Sequence, residues 1–194
     1  KSGAICRAFL DQHAPKKAAD AKATDLGPKP VSPAQMLYAI RVAQAKGIET
    51  LVDFFSRKLA SELAAKNRQA DLVLGNNVFA HVPAINDFTL GLKATLKPSG
   101  TITLEFPHLM RMFEQNQFDT VYHEHFSYFT LHTVQRIFAA AGLRVWDVDE
   151  LPTHGGSIRV YGCHVEDPRP EAPALAALVA EEVRRGLQSP LGYE

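Results

Sequence analysis

The chain has 194 residues, of which 46% are hydrophobic and 22% charged, with 21 Lys and Arg balancing 21 Asp and Glu. That composition suits one well-cored domain, with or without an appendage, and excludes a disordered chain. A formal net charge of zero leaves no electrostatic footprint for nucleic acid or an anionic membrane, and no run approaches the roughly 18 apolar residues of a membrane span, so neither partner is expected.

Cys6 and Cys163 lie far apart in the sequence. They support neither a disulfide framework nor a four-cysteine zinc site, and they predict a reducing compartment. Residues 1–10 lack the apolar stretch and cleavage site of a signal peptide, so a cytoplasmic location is expected. The first residue is Lys1 rather than methionine, which predicts that the chain begins inside a longer one.

In chain order, residues 5–12 suit a short helix. The stretch 11–32, rich in Lys, Ala and Pro, reads as loop with a short extended piece around 23–26. Ser32 and Pro33 predict a helix start, and the stripe Met36, Leu37, Ile40 and Ala43 carries it to Gly47. Alternation then sets in. Residues 49–55 read as a strand, Ser56 caps a helix through Ala65, and residues 70–78 read as a second strand. Ile85, Phe88, Leu92 and Leu96 mark a helix closed by Lys97-Pro98-Ser99-Gly100, and residues 101–106 are a third strand. Strands alternating with helices at this spacing predict an α/β fold with a mostly parallel sheet covered on both faces.

Ligands of such sheets bind beyond the carboxyl ends of the strands. Here those ends carry Asp53, then Asn76 and Asn77 with His81 beyond, then Glu105 with His108, so these groups are expected along one edge. Next comes Tyr122-His123-Glu124-His125-Phe126-Ser127-Tyr128, which crowds imidazoles, a carboxylate and phenols into one short stretch. A core would have to find each of these groups a hydrogen-bond partner, and a solvated loop has no need of them, so the stretch reads as an active-site segment. In a helical turn Tyr122 and His125 share a face; in a strand they are opposed.

A helix over 131–141 follows, ended by Gly142. The alternating runs 143–148 and 157–163, joined through Gly155 and Gly156, predict an antiparallel pair at the end of the sheet. Residues 167–173 read as a linker. A last helix carrying Leu175, Leu178, Val179 and Val183 has few elements to bury it, which predicts that the chain continues past Glu194.

Four motifs in order, Asn76-Asn77-Val78-Phe79-Ala80-His81-Val82, Glu105-Phe106-Pro107-His108, the stretch from Gln117 to Tyr128, and Pro152-Thr153-His154-Gly155-Gly156-Ser157-Ile158-Arg159, resemble the nucleotide-sugar C-methyltransferases of deoxysugar biosynthesis. The likeness covers roughly residues 47–165. It implies a Rossmann-like class I S-adenosylmethionine-dependent methyltransferase sheet, incomplete at the N-terminus. Residues 1–32 would be a remnant of the cofactor-binding half, 33–165 the methyltransferase core, and 166–194 a linker and the start of a C-terminal helical region. The family's zinc-binding N-terminal domain has no counterpart here. Of its glycine-rich first loop only Lys1-Ser2-Gly3 could be the tail, and Asp25 is the candidate for the acidic residue that grips the ribose.

The resemblance assigns His125 as base, Glu124 as the carboxylate that orients it, and Tyr122 with His81 as donors to an enolate oxygen. Methylating carbon beside a ketone needs an enolate, hence a base titrating near neutrality and preplaced donors, and it requires no metal. S-adenosyl-L-methionine would lie against Asp53, Phe54, Asn76 and Asn77. The nucleotide-sugar substrate would meet His154, Ser157 and the guanidinium of Arg159. Two other readings stay open: a non-catalytic methyltransferase-like binding domain, and a metal enzyme using His123, His125 and Glu105 or His108.

Overall fold

The computed structural model describes residues 33–189 and Gly192, of residues 33–37 the backbone alone. The expectations for residues 1–32, Asp25 and the Ser32 cap among them, lie outside the described residues. The elements run α1 (Pro33–Ala45), α2 (Arg57–Ala65), β1 (Ala70–Asn76), α3 (Ile85–Thr95), β2 (Leu96–Pro107), α4 (Leu109–Glu114), α5 (Leu131–Ala140), β3 (Leu143–Leu151), β4 (Ser157–His164) and α6 (Pro173–Arg184).

Local chemistry sets most boundaries. Ser56 accepts a hydrogen bond from the Leu59 N–H at 3.3 Å and starts α2, and Thr130 does the same for Thr133 at 3.1 Å at the head of α5. Gly142, at φ 72°, ends α5 in the left-handed conformation that residues with a Cβ adopt at a cost. Two sequence expectations fail. Residues 49–55 form no strand, although their apolar run suggests one, and Leu51, Val52 and Phe54 are exposed. Lys97-Pro98-Ser99-Gly100, expected only to close the preceding helix ahead of a strand at 101–106, already belong to β2, which starts at Leu96.

The sheet order is β1-β2-β4-β3. β1 runs parallel to β2, while β4 is antiparallel to both β2 and β3. The expected antiparallel pair is present, with its second strand inserted inside the sheet and its first left at the edge.

Register separates the two faces. Ile102, Leu104 and Phe106 lie opposite Gly162, Val160 and Ile158, and all are buried in one core with α3, α5 and α6. The other face carries Thr103, Glu105, Arg159 and Tyr161, and on β1 it exposes Leu72 by 52% and Leu74 by 63%. Cover on both faces, expected from the parallel alternation, is therefore absent over β1 among the described residues. A cluster of Phe79, Phe88, Phe106, Phe129 and Phe138 fills the core beneath the strand ends, with Phe79 stacked on Phe129 at 4.8 Å.

Candidate active site

β1 ends at Asn76, and the chain turns through Asn77, whose φ of 51° is one that Asn tolerates better than most residues. The Asn77 N–H donates to the Glu105 carbonyl at 2.8 Å, tying this turn to β2. A single 3-10 turn, Phe79–His81, follows. Phe79 and Ala80 are buried, so the aromatic core holds the turn and fixes where His81 emerges.

β2 ends at Pro107, and the chain then makes a long excursion that returns to its starting point. The Leu109 N–H donates to the Phe129 carbonyl at 2.9 Å, beside a bridge between His108 and Phe129. Within the excursion, the Phe126 and Ser127 N–H groups donate to the Ala80 carbonyl at 2.9 and 3.3 Å. That contact docks the aromatic-histidine segment beside His81, and the His81 and His125 rings meet edge to face at 4.7 Å.

Residues 122–125 form a turn closed by the His125 N–H on the Tyr122 carbonyl at 3.1 Å, so Tyr122 and His125 share a face. The Tyr122 hydroxyl lies 3.1 Å from His125 Nε2, and His125 Nδ1 lies 3.2 Å from the Thr120 carbonyl. A carbonyl can only accept, so Nδ1 carries a proton, and in the neutral ring Nε2 then presents its lone pair to the Tyr122 hydroxyl. The Tyr128 hydroxyl donates to the Tyr122 carbonyl at 3.4 Å, bracing the turn from below.

These groups open on a cleft of about 510 Å³ lined by His81, His125, Tyr122, Asn77, His154 and Gly155, with Gln117, Asp119 and Thr120 completing one wall. The last three belong to the Gln117–Tyr128 motif, but the sequence reading gave them no role in the site. Gln117 donates to the Gly155 carbonyl at 2.6 Å, joining the excursion to the β3–β4 connection, where His154 has φ 52°. The signal for Thr120 was invisible in sequence because its role belongs to a backbone carbonyl.

Other expected site residues lie elsewhere. Glu124 is half-buried and forms no hydrogen bond to His125; the orienting acceptor is Thr120. Asp53 accepts from the Phe54 N–H at 2.7 Å, and Phe54 is 79% exposed. Asn76 is exposed on the polar face and, like Asp53 and Phe54, stands outside the cleft. Ser157 is buried, its hydroxyl donating to the Thr153 carbonyl at 3.0 Å. Arg159 pairs with the buried Glu105 carboxylate at 2.8 Å, which raises the guanidinium pKa, and the Thr153 hydroxyl donates to the same carboxylate at 3.2 Å.

The groups a metal reading would combine are dispersed: His123 is exposed, Glu105 is paired, and His108 is buried against Glu182. Among the described residues no group of three or more His, Cys, Asp or Glu could hold an ion. No helix among them is long and apolar enough to cross a membrane.

A mixed sheet with one reversed inner strand, and a cleft at the strand ends, define a Rossmann-like α/β fold of the methyltransferase type. Residues 3–148 match the family model for a methyltransferase domain, and the chain belongs to that family. It is 39% identical over 163 residues to the C-methyltransferase NovU of Streptomyces niveus, a match covering 84% of this chain and 38% of that protein. The chain thus spans well under half the length of this relative. Among solved structures it resembles a SAM-dependent methyltransferase from Anabaena variabilis, with a TM-score of 0.52 at 15% identity over 69% of this chain and 65% of that one. It also resembles a putative methyltransferase of Haloferax volcanii solved with its Trm112 activator, with a TM-score of 0.50 at 14% identity over 69% of each chain. At such identities the two structures speak for the fold.

Proposed function

We propose that this chain carries the proton-transfer centre of an S-adenosylmethionine-dependent C-methyltransferase that acts on a keto nucleotide-sugar through an enolate. The observation that carries the reading is the two-sided bonding of His125: Nδ1–H held by the Thr120 carbonyl, and Nε2 directed at the Tyr122 hydroxyl beside a cleft. The similarity to a C-methyltransferase supports carbon as the methylated atom.

In this mechanism His125 Nε2 takes a proton from the carbon beside the ketone. The C–H pair becomes the enolate double bond, and the carbonyl π pair moves onto oxygen. Substrate entering the cleft displaces the Tyr122 hydroxyl from Nε2, which frees that lone pair to face the C–H bond and leaves the hydroxyl to donate to the developing oxyanion, with His81 as the second donor. S-adenosylmethionine, when bound, supplies a methyl group activated by its sulfonium. Of the residues expected to hold it, Asn77 lines the cleft and fits as the floor, whereas Asp53, Phe54 and Asn76 face solvent. His154 and the Gly155 backbone form the wall against which the sugar would lie. Arg159 reaches a diphosphate only by sharing its guanidinium with Glu105. The orientation of His125 falls to the Thr120 carbonyl in place of Glu124.

The test is solvent exchange. The full-length protein is incubated with a 4-keto nucleotide-sugar in deuterated water, and label beside the ketone is followed by NMR. Wild type should exchange, and His125→Ala should lower the rate by roughly 100- to 10,000-fold, the scale of losing a general base. Exchange unaffected by the substitution would remove His125 from this role.

A further inference from the structure

We infer that Glu182 is a positioning residue for the His125 cleft, acting through both ends of the excursion that carries it. Glu182 belongs to α6, far from the cleft in sequence, yet its side chain is fully buried. One carboxylate oxygen lies 2.7 Å from His108 Nε2 and 2.6 Å from the Leu131 N–H; the other accepts from the His132 N–H at 2.9 Å. His108 is where the excursion leaves β2, and Leu131 and His132 open the helix that follows its return. A single side chain therefore grips the segment at its exit and its re-entry, and Gln117, Asp119, Thr120, Tyr122 and His125 all hang between those two points.

The chemistry asks for a carboxylate. Two backbone N–H groups donate to its two oxygens, an ionised carboxylate is acceptor-only, and with Glu182 ionised His108 Nε2 carries the proton and is the third donor. An amide of the same shape fails in either orientation. With its oxygen toward His108 and Leu131, the NH2 faces the His132 N–H; flipped, it faces the Leu131 N–H. The carboxylate also sits at the N-terminus of α5, where free N–H groups and the helix dipole favour a negative charge. His108 Nδ1 is buried without a hydrogen-bond partner among the described residues, so Glu182 is the one polar contact its imidazole makes there.

The role rests on the proposed chemistry for its catalytic consequence, but its structural consequence is measured without substrate. Amide hydrogen exchange on Glu182→Gln should accelerate across 109–129 by roughly 10- to 100-fold, the scale of losing a buried charge-assisted hydrogen bond. β2 and β4 should keep their protection, and the His125 ring resonances should shift. With keto nucleotide-sugar in the full-length protein, kcat should fall with KM nearly unchanged. His108→Leu, which removes one donor and leaves α5 capped, should loosen the exit end by less. Unaltered exchange over 109–129 in folded Glu182→Gln would overturn the inference. Should that variant not fold, unaltered exchange in His108→Leu would do the same. Loosened exchange and shifted His125 resonances, together with deuterium incorporation that His125→Ala leaves intact, would sink the enolate reading and leave the positioning role standing.

Discussion

Among the described residues, the two flanks of the sheet differ in how they are covered. On the β2–β4–β3 side, Ile102, Leu104, Phe106, Ile158 and Val160 are fully buried, and the cleft above them is pinned from several directions: Ala80 to Phe126, Gln117 to Gly155, and Glu182 to His108 and Leu131. On the β1 side, Leu72 and Leu74 are exposed among the described residues. The residues proposed for proton chemistry thus stand on a packed scaffold, whereas of those expected to touch the cofactor Asp53, Phe54 and Asn76 are exposed and outside the cleft. Preorganisation matters most where charge develops, and a donor held by a core needs no rearrangement when the oxyanion forms.

The contrast is sharpest at Phe79, which sits beneath His81 and contacts four other aromatic rings. Phe79→Ala should cost about 3–5 kcal/mol in urea unfolding, the range for a buried aromatic truncated in a core, and should displace His81 as well. A loss under about 1 kcal/mol would show that the flank is not rigid in this way.

Next in size, Tyr122→Phe keeps the ring and removes the hydroxyl, so turnover by the full-length protein should drop roughly 10- to 1000-fold with folding intact. An unchanged rate would take Tyr122 out of the oxyanion site.

A smaller effect concerns the segment read as a linker, which is tied down: Arg169 donates to Asp167, to Thr101 and to the Ser99 carbonyl, and stacks over Trp146 at 5.3 Å. The Arg169 bonds hold the Asp167 carboxyl down to about 2, below its ordinary 3.8. A depressed carboxyl stabilises the fold above the unfolded-state value, and that contribution is lost as pH falls through the folded value. The stability gap between wild type and Arg169→Met should therefore be constant above about pH 4 and close towards pH 2 in thermal melts. A gap that does not narrow would dissociate Arg169 from this titration.

Smallest of all, Leu74→Gln on the open flank should change unfolding free energy by no more than about 0.5 kcal/mol. A larger loss would mean that β1 is covered in solution and that the two flanks are more alike than the described residues show.

Much of this was legible in the sequence. The helix expected over 131–141 with its Gly142 stop, and the strands expected at 70–78, 143–148 and 157–163, are found at 131–140, 70–76, 143–151 and 157–164, because glycine conformations and period-two alternation act over a few residues. The pairing of Tyr122 with His125 followed from their spacing once a turn was assumed. The strand-end rule also picked out Asn77 and His81, and the family resemblance picked out His154; all three line the cleft.

Tertiary structure decided the rest. It gave the orientation of His125 to a backbone carbonyl, which no residue type announces, and bound Arg159 to Glu105 rather than leaving it open to a ligand. It denied residues 49–55 a strand, because an apolar run becomes one only where a neighbour takes up its backbone hydrogen bonds. It also brought Glu182 from the last helix to both ends of the cleft segment, a contact across 74 residues on one side and 51 on the other that only the folded chain can make.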